Sequence, residues 1–392
     1  MTLKEKIREL SSNYLSEAIQ IRRHLHANPE LSFVEYNTSK FISSKLKEWK
    51  IPFKDGIVKT GIVALIEGKN SSSKTIALRA DIDALPIEEK NNVEYKSKNT
   101  GVMHACGHDV HTSSLLGAAK ILNELRNEFS GTIKLIFQPG EEKAPGGASL
   151  MIKEGVLENP KPSSIFALHV FPSLEAGKVG FRSGKYMAST DEIYLTVKGK
   201  GGHAAMKGTY VNPLLISAEI LLELENKFSD CKIPTVLAFG RMHANGATNI
   251  IPDEVKTDGT FRTMDEAWRK EAHNIIRETC ISIAKKSGGD SDINIMTGYP
   301  ALINDAATTS RAKKSAEEFL GKENVIELDL RMTGEDFSFY AQKIPACFYR
   351  LGTGNISKGI TSGVHTPTFD IDETALQTGI GLMTWVAVNE LN

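Results

Sequence analysis

The sequence predicts an α/β protein, a mostly parallel sheet layered with helices, into which a ferredoxin-like domain is inserted. Two observations carry this prediction. Strands alternate with helices in the first part of the chain, which is typical of parallel sheets. Between residues 183 and 298 the order changes to β-α-β-β-α-β, that of a ferredoxin-like unit. A length of 392 residues, with 41% hydrophobic and 24% charged residues, suits a globular chain of more than one domain.

Hydrophobic periodicity defines the elements of the α/β part. It predicts helices over 14–27, 37–50 and 109–126 and strands over 61–66, 75–80, 132–137 and 164–169. The same pattern resumes at Ala306 and ends in a helix over 372–390.

The inserted segment has its own elements, predicted as strands over 190–198, 235–242, 255–263 and 291–299 and helices over 211–228 and 265–287. We therefore expect a discontinuous domain of residues 1–182 and 299–392, and an inserted domain of residues 183–298. The inserted sheet has a free edge strand, and such an edge is a ready surface for a second subunit. A homodimer or a higher homo-oligomer is therefore expected.

Composition makes several functions unfavourable. The chain has 47 Lys and Arg against 48 Asp and Glu and no long basic block, so neither nucleic acid nor an anionic membrane is an expected partner. No run of eighteen apolar residues occurs, so no membrane span is expected. Four sparse cysteines and a charged amino end without an apolar core favour a reducing cytoplasm.

Polar residues follow several of the predicted strands. Asp81 and Asp83 come after one strand, Glu141 and Glu142 after another, and His169 ends a third. Ligands in open α/β sheets gather at the carboxyl ends of strands, so these side chains are expected to converge. Two adjacent acids such as Glu141 and Glu142 can divide metal binding from proton transfer.

A cysteine and several histidines extend this set. Cys106 and His108 lie one residue apart at the start of a predicted helix, and thiolate and imidazole are good ligands for transition metals. A buried free cysteine beside a helix start is the simpler interpretation of that pair alone. The whole candidate set has enough donors for two metal ions if the ions share one ligand. Its members are Cys106, His108, Glu142, His169 and His365.

Five ordered motifs carry a resemblance that spans nearly the whole chain. They are Arg22-Arg23-x-Leu25-His26-x-x-Pro29-Glu30-Leu31-Ser32, Arg79-Ala80-Asp81-x-Asp83-Ala84-Leu85-Pro86, Met103-His104-Ala105-Cys106-Gly107-His108-Asp109, Gln138-Pro139-x-Glu141-Glu142 and Gly201-Gly202-His203-Ala204-Ala205. The sequence resembles the metal-dependent amidohydrolases that include hippurate hydrolase, bacterial N-acyl-L-amino acid amidohydrolases and plant indoleacetate-amino acid conjugate hydrolases.

The resemblance implies roles for these residues. It implies a dinuclear site with Cys106 as the bridge, held by Cys106, His108, Glu142, His169 and His365. It also implies that Glu141 is the general base. The wider clan of co-catalytic metallo-exopeptidases has His-x-Asp where this chain has Arg79-x-Asp81, and an Asp where it has Cys106. Asp81 is therefore expected to orient a ligand rather than to bind metal. His104 and His111 are left as structural or orienting residues.

The resemblance extends into the inserted domain. It implies that His203 reaches a partner subunit's active site and stabilises the oxyanion, and that Asn249 and Arg262 bind substrate. A hairpin residue and a surface cation are the simpler interpretations of His203 and Arg262. The segment Gly334-Glu335-Asp336-Phe337 also resembles a family segment near the site, without a role that the sequence supplies.

The expected activity is removal of an N-acyl group from an amino acid or a small amino-acid conjugate, with two divalent ions of Mn, Zn, Co or Ni. N-acetyldiaminopimelate deacetylation and indoleacetate-conjugate cleavage remain open as specificities. A non-catalytic binding protein of the same fold is the alternative from a different class. No G-x-S-x-G or H-E-x-x-H motif occurs, so a serine hydrolase of the nucleophile-elbow type and a zincin are not expected.

Overall fold

The structure is a computed structural model that describes residues 1–391, and it divides into two compact units. The first contains Met1–Gly184, Ile303–Asp329 and the described chain from Asp336 onward; the second contains Lys185–Leu302 and Leu330–Glu335. Residues 330–335 thus belong to the second unit, although they lie outside the predicted insertion of 183–298.

The described residues form ten α-helices and sixteen β-strands. The α-helices are α1 (Leu3–Asn13), α2 (Leu15–Ala27), α3 (Tyr36–Glu48), α4 (His108–Glu124), α5 (Gly147–Lys153), α6 (Pro213–Phe228), α7 (Glu266–Lys286), α8 (Ala306–Leu320), α9 (Ser338–Ala341) and α10 (Ala375–Leu391). The strands are β1 (Phe53–Ile57), β2 (Gly61–Glu67), β3 (Thr75–Asp81), β4 (Thr132–Gln138), β5 (Ile165–Glu175), β6 (Val179–Phe181), β7 (Gly184–Met187), β8 (Asp191–Lys198), β9 (Gly202–His203), β10 (Thr235–Ala244), β11 (Ile250–Ile251), β12 (Glu254–Thr263), β13 (Asp290–Thr297), β14 (Leu302–Asn304), β15 (Val325–Glu327) and β16 (Ala346–Gly354).

The first unit is built on an eight-stranded mixed sheet in the order β1-β2-β4-β3-β5-β16-β6-β15. Its central strands β4, β3, β5 and β16 are parallel to one another, while β1 and β2 are antiparallel to their neighbours. Every residue of β4 is buried, as expected of a strand covered by helices on both faces. This architecture confirms the predicted mostly parallel α/β fold.

The second unit has an antiparallel sheet in the order β10-β12-β8-β13, with α6 and α7 between its strands in the β-α-β-β-α-β sequence. Apolar residues of both helices, such as Ile220 and Ile276, pack with Ile193 and Phe261 of the sheet. The predicted ferredoxin-like order is therefore confirmed. Within the described residues, no helix combines the length and the apolar character needed to span a membrane.

Candidate metal centre

The candidate ligands lie in the first unit, near the carboxyl ends of its central strands. Asp81 is the last residue of β3, and Glu141 and Glu142 follow the end of β4. His169 was expected to end its strand, but β5 continues to Glu175, so His169 lies inside it. The sheet thus places residues that are distant in sequence along one edge, as parallel topology requires.

The donor atoms of the five predicted ligands converge. Cys106 Sγ lies 3.4 Å from His169 Nε2 and 3.3 Å from His365 Nε2. His365 Nε2 lies 3.2 Å from Glu142 Oε1, and His108 Nε2 lies 3.9 Å from the same oxygen. Ligands held at about 2.0–2.3 Å from one tetrahedral ion are separated by roughly 3.3–3.8 Å. The two thiol–imidazole separations, 3.4 and 3.3 Å, lie within this range, and the His365–Glu142 separation of 3.2 Å lies just below it. The donor atoms are therefore spaced closely enough to share metal ions.

A left-handed glycine shapes the loop that carries the thiol. Gly107 has φ +82°, directly precedes α4 and separates Cys106 from His108, whose donor atoms lie within 4.8 Å of each other. A Cβ at this position would lie 2.6 Å from Val170 Cγ2, so only glycine fits without a shift. The close approach of this loop to β5 is what brings Cys106 to His169.

Hydrogen bonds orient two of the imidazoles toward the centre. His108 Nδ1 donates to the backbone oxygen of Asp83 at 2.8 Å, and His169 Nδ1 donates to the backbone oxygen of Val170 at 2.8 Å. A carbonyl oxygen can only accept, so Nδ1 carries the hydrogen in both rings and Nε2 is left as the potential ligand. This is the arrangement that metal-binding histidines usually have.

The electrostatics of the centre favour a cation. Burial disfavours the charged form of His108, but the nearby Asp81 and Cys106 outweigh it and raise the pKa of His108 well above its ordinary value. Hydrogen bonds to Cys106 and Glu142 raise the pKa of His365 to about 10. The neighbouring acidic groups thus stabilise positive charge at this point, and a divalent ion supplies such charge. Burial raises the pKa of the Cys106 thiol, so this thiol must release its proton when it binds a metal ion.

One buried polar atom supports the same conclusion. His108 Nε2 is buried and has no well-formed hydrogen bond to any residue that the structure describes. Leaving a buried polar atom unpaired is costly, and metal binding removes that cost. The soft thiol, the imidazoles and the carboxylate form a donor set suited to divalent transition metals. The residues present therefore fit the metal ions that the sequence resemblance implies.

His111 and His104 differ from the candidate ligands. His111 Nδ1 lies 2.6 Å from Asp81 Oδ1, and its Nε2 accepts the Val170 backbone N–H at 2.9 Å, so both ring nitrogens are used within the protein. His104 is buried, and burial lowers its pKa to about 4. His111 ties β3 to β5 beside His169 and has no lone pair left for a metal.

Sequence reasoning placed the orienting role at Asp81 and did not single out Asp83. In the structure Asp83 contacts His108 Nδ1, while Asp81 bonds to His111 and forms an ion pair with Arg79 at 2.7 Å. Asp81 Oδ2 lies 3.6 Å from His108 Nε2, so it stays close to the centre. Asp81 ends β3 and Asp83 lies two residues further on, and the sequence gives no signal that assigns the orienting role to one rather than the other.

The remaining predicted residues lie in the second unit. His203 is in β9, which pairs with β11, and the Ala204 N–H donates to the backbone oxygen of Asn249 at 3.0 Å, so these two segments are adjacent. His203 and Asn249 are exposed, and Arg262 is half-buried on β12. Burial lowers the pKa of Arg262, and its Nη1 donates to the backbone oxygen of Met332 at 3.4 Å. No carboxylate among the described residues forms an ion pair with Arg262.

A cluster of potential metal ligands lies at the strand ends of the α/β sheet and includes a thiol, with the carboxylate of Glu141 beside it. This arrangement is typical of metal-dependent hydrolases. The model of Peptidase family M20/M25/M40 matches residues 77–389, so the chain belongs to that family. It is a metallo-hydrolase of the family.

Relatives cover almost the whole chain. An N-acetyl-L-cysteine deacetylase of Bacillus subtilis is 38% identical over 96% of this chain and 89% of its own length. Thermostable carboxypeptidase 2 of Saccharolobus solfataricus is 37% identical over 97% of this chain and 96% of its own length. A solved structure of a dinuclear metal-binding M20 peptidase from Bacillus subtilis has a TM-score of 0.85 and 35% identity, with 97% of this chain and 99% of that one covered.

Proposed function

We propose that this protein is a metal-dependent amidohydrolase that removes the N-acyl group from an N-acyl amino acid. The observation that carries the proposal is that two groups of potential metal ligands share one thiol, that of Cys106, and that a separate carboxylate, that of Glu141, lies beside them. Cys106 belongs both to a group with His108 and His169 and to a group with Glu142 and His365. Glu141 lies beside these groups and is mostly buried.

The two groups would hold two divalent ions, with Cys106 as the common ligand. When bound, such ions polarise the amide carbonyl and lower the pKa of a water molecule. Their identity among Mn, Zn, Co and Ni depends on availability as well as on ligand type.

Glu141 would act as the general base. Its carboxylate accepts a proton from the attacking water while the new C–O bond forms, and then delivers that proton to the amide nitrogen as the C–N bond breaks. The products are a carboxylic acid and the free amine of the amino acid. Glu141 and Glu142 are adjacent in the chain, and their side chains can therefore serve proton transfer and metal binding separately.

His203 would stabilise the oxyanion that develops on the carbonyl oxygen. Its Nδ1 accepts the Ala205 backbone N–H at 3.2 Å, so the hydrogen of the neutral ring is on Nε2. The side chain is exposed, and this N–H is therefore available to donate to a substrate.

Arg262 and Asn249 would bind the amino-acid part of the substrate. A guanidinium can donate two parallel hydrogen bonds to one carboxylate, and Arg262 has no carboxylate partner among the described residues. Arg262→Ala should raise KM for a substrate with a free carboxylate, and should have little effect on the matching carboxamide. An equal loss on both substrates would show that Arg262 does not recognise the carboxylate.

The test is a deacylation screen of the purified protein with Mn, Zn, Co or Ni added. Substrates include N-acetyl, N-benzoyl and indoleacetyl amino acids, N-acetyldiaminopimelate and dipeptides with a free amino end. Release of a free amino acid from an N-acyl substrate is expected. Glu141→Gln should retain metal and lose turnover, whereas Glu142→Gln should lose metal as well.

A carboxypeptidase is the second candidate, because a relative of 37% identity bears that name. Both reactions cleave an amide whose amine side carries a carboxylate, so the same residues serve either. Faster cleavage of peptides than of simple N-acyl amino acids would favour it. Tight substrate binding with no turnover under any metal would instead indicate a binding protein.

A further inference from the structure

The segment Gly334-Glu335-Asp336-Phe337 has no part in the proposed chemistry, yet Asp336 is fully buried in the first unit. Its carboxylate accepts hydrogen bonds from Arg79 at 2.8 Å, from Gln138 Nε2 at 2.9 and 2.8 Å, and from the Ala148 N–H at 2.9 Å. Three donors on one buried carboxylate define its position closely.

The partners of Asp336 surround the loop that carries the acids. Gln138 is the last residue of β4 before this loop, and Ala148 lies in the first turn of α5 after it. The backbone N–H of Asp336 donates to Glu141 Oε1 at 3.3 Å. Asp336 therefore contacts both ends of the loop and the carboxylate within it.

Arg79 connects this contact with the metal centre. It is buried, and its guanidinium donates to Asp336 Oδ1, to Asp81 Oδ2 at 2.7 Å and to Gln138 Oε1 at 2.9 Å. Asp81 bonds in turn to His111, which holds the backbone beside His169. A buried network of this kind is rigid when all its members are satisfied and costly to disturb when one is removed.

We propose that Asp336 is a positioning residue for Glu141. Arg79, Gln138 and Ala148 fix the Asp336 carboxylate, and the Asp336 N–H then fixes the direction in which the Glu141 carboxylate can accept a proton. This inference rests on the proposed function, in which Glu141 is the base. It assigns the Gly334–Phe337 segment a part in the reaction without contact with substrate.

Asp336→Asn tests the proposal, because the amide keeps the size of the side chain but turns an N–H toward the donors of Arg79 or Gln138. Misplacing a catalytic group by about 1 Å costs up to roughly 100-fold in rate, so kcat should fall about 10- to 100-fold. KM, the metal-to-protein ratio and the visible spectrum of the cobalt-substituted protein should stay unchanged, since no ligand is touched.

Glu390→Gln is the matched control. Glu390 is also a buried carboxylate paired with an arginine, Arg311, at 2.8 Å. It contacts Lys74 and Ser164, the residues that directly precede β3 and β5, and so lies at the opposite ends of these strands from the metal centre. This variant should lower the unfolding temperature and leave kcat unchanged. A fall in kcat for Glu390→Gln equal to that of Asp336→Asn would overturn the proposal, because any buried carboxylate would then do the same.

A second comparison separates positioning from general damage. In the Glu141→Gln background, Asp336→Asn should reduce the residual rate by less than about twofold, since its effect passes through Glu141. An equal loss in both backgrounds, or a loss of metal in Asp336→Asn, contradicts the proposal.

Should Asp336→Asn not fold, Gln138→Met is the alternative variant. It removes the two bonds from Gln138 Nε2 to Asp336 and the bond from Arg79 to Gln138 Oε1, while the ion pair between Asp336 and Arg79 remains. A selective fall in kcat is expected there too, and an unchanged kcat overturns the proposal. Failure of the proposed function is distinguishable, because the unmodified protein would then hydrolyse no N-acyl substrate.

Discussion

Asp83 holds His108 through the ring nitrogen that faces away from the metal centre. The backbone oxygen of Asp83 lies 2.8 Å from His108 Nδ1, and the side-chain Oδ1 of Asp83 lies 3.2 Å from the same nitrogen. Asp83 Oδ2 also accepts the backbone N–H of Glu142 at 3.0 Å. One carboxylate therefore orients two of the predicted ligands.

Asp83→Ala should weaken metal binding by about 10- to 100-fold, the usual effect of removing a group that orients a metal ligand. The backbone bond to His108 remains, so binding should be weakened rather than abolished. Titration of the metal-free protein with Co²⁺, followed by the visible spectrum, measures the change. Ser32→Ala is a control, since Ser32 bonds to Asp83 at 2.6 Å without contacting a predicted ligand. Unchanged affinity in Asp83→Ala would show that the backbone bond alone orients His108.

The bridging role proposed for Cys106 predicts a selective loss of metal. Cys106→Ala should reduce the metal-to-protein ratio more than any other cysteine change, because both ligand groups share this sulfur. Elemental analysis after dialysis gives the ratio. Cys231→Ala, Cys280→Ala and Cys347→Ala are the controls, and all three should bind metal as the unmodified protein does. Full occupancy in Cys106→Ala would remove the bridge from the proposal.

The sequence predicts the fold well because the periodicity of hydrophobic residues, and the order of helices and strands that it indicates, can be recognised within short segments of the chain. The predicted strand 132–137 is β4 at Thr132–Gln138, and the predicted helix 211–228 is α6 at Pro213–Phe228. Short elements without a period, such as β9 and β11, were not predicted. Their backbone pairing depends on tertiary contacts between Gly202–His203 and Ile250–Ile251.

The convergence of polar residues at the strand ends could also be predicted, because parallel topology places those ends together. His365 could not be placed by topology. It lies in a loop, has φ +62°, and reaches the centre through its backbone bond to Ala105. The role proposed for Asp336 could not be predicted from the sequence either. Its partner Arg79 is 257 residues away in the chain, and only folding brings the two side chains together.

The burial of Lys134 leads us to predict that the free energy of unfolding depends on pH. This lysine lies in β4, buried, and donates to the backbone oxygens of Val156 and Glu158 at 2.9 and 2.7 Å. Burial lowers its pKa to about 8. The unfolded chain keeps a lysine pKa of about 10.4, so between these values the folded state binds fewer protons. The contribution of Lys134 to stability therefore rises as the pH increases from about 8 to about 10.4.

Urea unfolding of the unmodified protein and of Lys134→Met near pH 7.5 and near pH 10 measures this contribution. The difference in unfolding free energy between the two proteins should shift in favour of Lys134 at the higher pH. Lys314→Met, a change at an exposed lysine, should show no such shift. A difference that is the same at both pH values would contradict the lowered pKa.

The proposed role of His203 leads us to predict that the active form of the protein is at least a dimer, in which a partner subunit contributes His203 to each active site. The residue is exposed on the short strand β9, and its Nε2–H is available to donate. Glu141→Gln and His203→Ala should each retain only a small residual activity alone. If His203 acts in a partner's site, a mixed dimer contains one site with both residues intact, so mixing the two variants should restore activity.

Co-expression of the two variants, or dissociation and reassociation of the purified proteins, provides the measurement. Subunit exchange is confirmed separately, for example by mass spectrometry of differently tagged chains. Recovery toward a quarter of the unmodified activity is expected, because random pairing makes about half of the dimers mixed and each mixed dimer has one intact site of two. Activity that stays at the level of the single variants despite proven exchange would place His203 in its own chain's site or outside catalysis.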